Sequence, residues 1–206
     1  MAQKTLTVLG STGSIGQNTL DVAGRFPDRF RVHALAAHSN VEILASQIEV
    51  FRPRVVALFD PEAAGRLRDL LPRGRAPSIL TGIDGLIEAA VAPEVDQVVS
   101  GIVGAVGLRP TFAAIEAGKQ VALANKETLV LAGELMVGLA AETGSTLLPM
   151  DSEHNAIFQC LHEHERGELE RIVLTASGGP FRDLPLQDFG EITRAQALAH
   201  PNWKMG

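Results

Sequence analysis

The sequence predicts an α/β protein built on a parallel sheet with helices on both faces, followed by the start of a second α/β or α+β domain. Three observations point there. Short β-branched runs alternate with helical patterns in a βαβα order. The runs are apolar almost throughout rather than alternating, as strands covered on both faces require. Three glycines, Gly10, Gly13 and Gly16, stand between the first apolar run and the first helical pattern.

The elements follow in order. Leu6–Leu9 reads as a strand and Ser14–Arg25 as a helix. Phe30–Ala36 is the second strand, and Val41–Phe51 the next helix. Arg54–Phe59 is a third strand. Pro61–Leu71 is helical: Asp60 is a fitting N-cap, and proline suits the first helical position because its missing N–H would be unpaired there anyway. Leu71–Pro77, rich in Pro, Arg and Gly, is a loop. Val95–Val99, Gln120–Ala124 and Thr146–Met150 read as strands, and Arg109–Ala117 and Glu127–Thr143 as helices. The rhythm breaks after Met150. An acidic helix over 153–165, a strand over Leu169–Ala176 and a Gly/Pro loop over Ser177–Pro185 lead into AHPNWKMG. This places a boundary between a domain over 1–150 and a partial one over 151–206.

Composition narrows the class. A chain of 206 residues can bury roughly 70 % of its unfolded surface and needs no staples. With 46 % hydrophobic and 20 % charged residues it reads as an ordinary globular protein. A net charge of −6 argues against nucleic-acid and anionic-membrane partners, which would be repelled. Cys160 is the one cysteine, so no internal disulfide can form and a cytoplasmic location is expected. Cys160 itself is expected to be a small buried side chain. No signal or transit pattern opens the chain. Leu129–Ala141 is interrupted by Glu134 and falls short of the ~20 residues a membrane helix needs, so it is expected to be a buried helix.

The glycines each have a physical task. The first allows a tight turn, the second lets backbone N–H groups approach a pyrophosphate, and the third lets the helix pack closely on the strand. The helix N-terminus then offers unpaired donors and the positive end of a dipole. The spacing is G-x-x-G-x-x-G rather than G-x-G-x-x-G, so a purely structural turn is the competing reading. The position between strand and helix at the head of a βαβ unit favours a Rossmann-like dinucleotide site. The second strand ends Ala36-Ala37-His38-Ser39-Asn40, with no carboxylate for a ribose 2′-OH. That favours NADP over NAD, although no arginine stands there.

Other segments carry chemistry. Asp151 and Glu153 follow a strand end, where ligands bind in open α/β sheets. In extended backbone, residues i and i+2 point to one side, and two hard oxygen ligands suit Mg²⁺ or Mn²⁺. The competing reading is an N-cap and a first-turn acid of the next helix. Lys126, in Ala122–Glu127, ends another strand and suits an oxyanion or phosphate; a solvated lysine is the alternative. Ser177 opens a Ser-Gly-Gly-Pro stretch able to form an anion nest, or an ordinary turn. His162 and His164 are spaced i,i+2, which on a helix face different directions, so no metal site is read there.

Taken together, GSTGSIG (10–16), ANKE (124–127), LLPMDSEHNAIFQ (147–159), SGGPFR (177–182) and HPNWKMG (200–206) make the chain resemble the 1-deoxy-D-xylulose 5-phosphate reductoisomerases along its whole length. The resemblance implies an NADPH-binding Rossmann-like domain, a catalytic domain and a C-terminal helical domain, assembled as a homodimer. It implies rearrangement and reduction of 1-deoxy-D-xylulose 5-phosphate to 2-C-methyl-D-erythritol 4-phosphate in non-mevalonate isoprenoid synthesis, with NADPH and Mg²⁺, Mn²⁺ or Co²⁺. By the same resemblance Gly10, Thr12, Gly13, Ser14, Ile15 and Gly16 form the cofactor phosphate loop, and Ser39 and Asn40 lie near the 2′-phosphate. Asn125, Glu127 and Gly206 match further cofactor contacts, and Asp151 and Glu153 match metal ligands. Lys126, Ser152, Ser177 and His200 match substrate positions, and Trp203 matches a loop that covers the substrate; with Glu153 these form the candidate catalytic set.

The pattern departs from the family at Ala176, at His38 and at the end of the chain. There the family's further Asn-Lys pair, a third metal-ligating Glu and the helical domain do not follow. The expectation is a fragment with a complete cofactor domain and an unfinished catalytic one. Two other functions compete: a non-catalytic NADP-binding module, and another NADP-dependent dehydrogenase.

Overall fold

The computed structural model describes residues 3–72, 76–162, 164, 166–175 and 178–199. The chain divides into two compact units, Met1–Asp151 and Ser152–Gly206.

In the first unit every strand but one falls where an apolar run predicts it. The strands are β1 (Lys4–Leu9), β2 (Phe30–Ala37), β3 (Val55–Leu58), β4 (Ser78–Thr81), β5 (Gln97–Ser100), β6 (Gln120–Leu123) and β7 (Leu147–Pro149). All pair parallel, in the order β4-β3-β2-β1-β5-β6-β7. The helices are α1 (Ser14–Arg25), α2 (Val41–Phe51), α3 (Pro61–Leu70), α4 (Gly82–Val91), α5 (Leu108–Glu116) and α6 (Lys126–Thr143).

Two cores explain the apolar strands. On one face Val8, Leu35, Val56 and Leu58 pack with Leu20 of α1, Leu44 of α2 and Leu67 of α3. On the other Leu9, Ala36, Ala57, Val98 and Val121 pack with Leu86 of α4, Ile115 of α5 and Met136 of α6. Successive strand residues point to opposite faces, so both faces draw on the same runs. Asp60 accepts a 2.9 Å bond from the Glu62 N–H with Pro61 beside it, the cap expected for α3.

Two differences from the sequence reading have physical causes. The β4–α4 pair was not foreseen: β4 is a short, half-exposed edge strand, and α4 carries Gly82 and Gly85, poor helix formers. Gly85 is required there, because a Cβ would lie 2.8 Å from the Leu80 Cβ. The helix over Glu127–Thr143 is not buried all round. Its buried residues are Thr128, Met136 and Ala140, while Val130 is 86 % and Leu135 69 % exposed. A helix lying on a sheet buries a single stripe, and non-helical dihedrals at Ala132 bend this one.

In the second unit the acidic helix is shorter than expected. It is α7 (Ser152–Leu161), followed by 3₁₀ turns at Arg166–Glu168, Gly179–Phe181 and Leu186–Glu191, and by α8 (Arg194–Leu198). Thr193 and Gln196 cap α8 reciprocally. Residues 169–175 form no strand, for among the described residues this unit offers no sheet to join. None of its described residues is buried. Cys160 is accordingly exposed, correcting the buried position expected for it. Among the described residues no helix is long and apolar enough to cross a membrane.

Candidate functional site

The glycine turn lies where the strand order forks. β1 has β2 on one side and β5 on the other, so the loops leaving β1 and β5 diverge over opposite faces. Ligands bind at such switch points, beyond the carboxyl ends of the strands. After Leu9 the chain turns at Gly10, whose φ of +81° suits glycine. The N–H groups of Gly10 and Ser11 both donate to the Ala36 carbonyl of β2, at 2.9 and 2.8 Å, and the Gly13 N–H donates to the Gly10 carbonyl. A Cβ at Gly10 would sit 2.7 Å from the Gly101 carbonyl oxygen, in the loop after β5. Gly101 in turn donates to Leu9. The loop holding Gly101, Gly104 and Gly107 is thus the opposite wall of the fork. The sequence reading passed over it, although glycines after an apolar strand were its signal.

Gly13 is the N-cap of α1 with extended dihedrals and no side chain to cap it, so the first-turn N–H groups at Ser14 and Ile15 remain open to an anion. Gly16 is buried, and its close contact is with the turn rather than with the strand as expected. A Cβ there would lie 2.3 Å from the Gly10 oxygen and 2.4 Å from the Ser11 Cα. The helix is thereby seated directly on the turn, a cradle that fits a dinucleotide pyrophosphate. Thr12 presents its carbonyl to the Gln17 side chain at 2.8 Å. From α2, Gln47 donates to the Ser11 carbonyl at 2.8 Å and braces the turn from behind.

At the end of β2, Asn40 caps α2 by accepting from the Ile43 N–H at 3.1 Å. The His38 ring lies 5.3 Å from the Phe59 ring. The carbonyl of Ser39 accepts from the Arg66 guanidinium at 3.4 Å. Arg66, on α3, thus reaches the β2 end, where the sequence itself places no arginine.

At the end of β6, the N–H groups of Ala124 and Asn125 donate to the Ser100 carbonyl. The Asn125 side chain, 3 % exposed, is fully engaged inside the protein. Its Nδ2 donates to the carbonyls of Ile102 and Gly104, and its Oδ1 accepts from the Thr128 N–H, capping α6. Asn125 therefore ties the β6 end to the β5 loop. Lys126 and Glu127, next in the chain, are exposed.

Asp151 ends the first unit, and Ser152 and Glu153 begin the second. The extended geometry assumed for the two carboxylates fails, because α7 starts at Ser152 and makes Glu153 its first-turn acid. Among the described residues no group of three or more His, Cys, Asp or Glu side chains is placed to hold a metal ion. Ser177, His200, Trp203 and Gly206 lie outside the described residues.

The profile of the 1-deoxy-D-xylulose 5-phosphate reductoisomerase family matches residues 6–133, and that of the C-terminal domain of the same enzyme matches 147–206. The chain is 55 % identical to the enzyme of that name from Heliobacterium modesticaldum, over 98 % of this chain and 52 % of the relative. The reductoisomerase of Zymomonas mobilis in complex with NADPH superposes with a TM-score of 0.89 at 46 % identity, covering 97 % of this chain and 52 % of that one. A structure of DOX-P reductoisomerase with NADPH, fosmidomycin and magnesium gives 0.85 at 41 %, covering 98 % and 52 %. The chain spans about half the length of the curated relatives it matches.

Proposed function

The chain belongs to the 1-deoxy-D-xylulose 5-phosphate reductoisomerase family, and on that footing we propose that it carries the NADPH-binding unit and leading catalytic segments of an enzyme rearranging and reducing 1-deoxy-D-xylulose 5-phosphate to 2-C-methyl-D-erythritol 4-phosphate. The observation that carries this reading is the glycine turn at the β1–β5 fork, with α1 seated on it closely enough to exclude a Cβ at Gly16. That cradle matches a pyrophosphate, and relatives of this fold are described in complex with NADPH.

In this reading NADPH, when bound, supplies the hydride, and a divalent ion supplies polarisation of a carbonyl oxygen. The chain's own residues do the placing. Open N–H groups at Ser14 and Ile15, with the turn from Gly10 to Gly13, hold the pyrophosphate against the positive end of α1. Ser39 and Asn40 stand at the adenosine end. Asn125 fixes the β5 loop that forms the far wall, and the exposed Glu127 stands beside it. The exposed Lys126 ammonium attracts the substrate's phosphate or developing oxyanion. Asp151 and Glu153 supply hard oxygen ligands suited to Mg²⁺ or Mn²⁺. Ser152, Ser177 and His200 are assigned to substrate, Trp203 to its cover, and Gly206 to a late cofactor contact. A homodimer at the length of the relatives and a cytoplasmic location complete the proposal. The location is supported by a single cysteine that is exposed and has no disulfide partner in the chain.

The test follows NADPH absorbance on this chain with 1-deoxy-D-xylulose 5-phosphate and Mg²⁺ or Mn²⁺, beside an NADPH fluorescence titration. Saturable binding is expected, and turnover would extend the proposal to the complete reaction on these residues. Absence of NADPH binding would remove it.

A further inference from the structure

We propose that Arg66, on α3, recognises the adenosine 2′-phosphate and sets the preference for NADPH over NADH. The inference rests on the NADPH reading above and adds a residue that no motif of the sequence marks. Discrimination between the two cofactors is made at the end of the second strand of a dinucleotide fold. A carboxylate there accepts from a ribose 2′-OH, whereas a nearby arginine accommodates a 2′-phosphate. Here β2 ends at Ala37 and is followed by His38, Ser39 and Asn40, with no carboxylate among them.

The guanidinium of Arg66 reaches this turn from a helix 27 positions on, its Nη2 lying 3.4 Å from the Ser39 carbonyl oxygen. That is a long bond, at the outer limit of hydrogen-bond geometry. Among the described residues it is the one hydrogen bond the Arg66 side chain makes, and no described carboxylate pairs with it. A guanidinium has five N–H donors in a planar fork that matches a phosphate. Most of the fork is therefore available, and it is aimed at the turn rather than spent on an ion pair.

The backbone holds the β2 turn and the start of α3 side by side, while Arg66 itself is exposed. Asp60, the acid at the start of the same helix, accepts from the Glu62 N–H as the N-cap. The Phe59 and Asp60 N–H groups donate to the Ala37 and His38 carbonyls, fixing the β2 turn against the start of α3. The N-terminus of α2 lies at the same turn. Asn40 caps the Ile43 N–H, and the N–H groups of Val41 and Glu42, first in the helix, are not served by this cap. A 2′-phosphate seated over Ser39 would meet both this helix end and the guanidinium, a pairing a 2′-OH cannot exploit.

The test titrates the chain with NADPH and with NADH, which differ by the 2′-phosphate alone, for wild type, Arg66→Ala and Arg66→Lys. The expected result is wild-type preference for NADPH, loss of about tenfold in NADPH affinity in Arg66→Ala, and NADH affinity unchanged within about twofold. Arg66→Lys should recover part of the preference, as a point charge without the fork. Added salt should weaken NADPH binding more in wild type than in Arg66→Ala. Coincident thermal melts would show that the exposed substitution leaves the fold intact. A wild type that prefers NADPH and an Arg66→Ala with the same preference would overturn the inference alone. A wild type that binds neither cofactor, or both equally, would overturn the NADPH reading and this inference with it.

Discussion

Replacing Gly16 by alanine tests the seating of α1 on the turn, with Gly65→Ala as its counterpart. Both glycines lie inside helices, α1 and α3, so each substitution gains about 1 kcal/mol of helix propensity. Their surroundings differ. A Cβ at Gly65 meets nothing within 4 Å, whereas at Gly16 it meets backbone atoms at 2.3, 2.4 and 2.6 Å. Carbon contacts sit at roughly 3.5–4 Å, so the turn at Gly10–Ser11 must retreat by about 1 Å or more. It is not free to do so: Gly10 and Ser11 are bonded to Ala36, and Ser11 also to Gln47. Overpacking against fixed atoms costs roughly 1–3 kcal/mol and at this depth belongs at or above the upper end. After the propensity gain the net loss is about 2 kcal/mol, a fall in Tm of roughly 4–8 °C. Gly65→Ala should instead raise Tm by about 2–4 °C. The assay is thermal unfolding by circular dichroism, paired with NADPH titration. Gly16→Ala should also weaken NADPH binding, because the displaced turn is the proposed phosphate cradle, while Gly65→Ala leaves binding unchanged. A Gly16→Ala variant that melts at or above wild type and binds NADPH normally would refute the reasoning.

Three further outcomes follow from the structure. Asn125→Ala leaves the Ile102 and Gly104 carbonyls and the Thr128 N–H without their side-chain partner, costing about 2–4 kcal/mol in urea unfolding. Asn125→Asp, nearly isosteric, should cost more, because it sets a carboxylate oxygen against two carbonyls; equal stability of Asp and wild type would deny the clamp. Asp60→Ala removes the α3 cap and should cost about 1 kcal/mol, read as a lower urea midpoint. His33, buried in β2, has its pKa lowered by burial, with Arg54, Arg31 and Lys119 adding to the effect against Glu94. Its neutral form therefore belongs to the fold and its charged form to the unfolded chain. Stability from this group is whole above the ordinary histidine value of about 6.5 and is lost as pH falls below it toward the lowered folded value. Urea midpoints across that window should fall with pH in wild type and flatten in His33→Gln.

Much of the first unit was legible because parallel strands buried on both faces leave uninterrupted apolar runs, and a run needs no partner to be seen. Arg54–Phe59 and Gln120–Ala124 stood out in this way. β4 did not, since an edge strand half-exposed at Ser78–Thr81 has no such run. Cys160 and the α6 stripe went astray for a related reason. Apolar composition states what a side chain would prefer, whereas burial depends on whether another element lies over it. The glycine turn was legible as a motif, but its meaning was not. G-x-x-G-x-x-G does not say that Gly16 packs on Gly10 rather than on β1, or that Gly101 closes the other side.

The same limit governs the candidate site. Residue type tells which chemistry a side chain can do; it does not tell what has already claimed it. Asn125 matches a cofactor contact in sequence, yet its donors and acceptor bond to Ile102, Gly104 and Thr128, so what it does in the structure is place the β5 loop. Asn40 likewise spends its oxygen on Ile43. Arg66 is the converse: it sits in no motif and reads as one more solvated charge on an amphipathic helix. It acquires a candidate role because the parallel order β3-β2 brings the start of α3 beside the β2 turn, 27 residues away in the chain. The proposed specificity thus rests on the adjacency of strand ends, and adjacency is what a linear text omits.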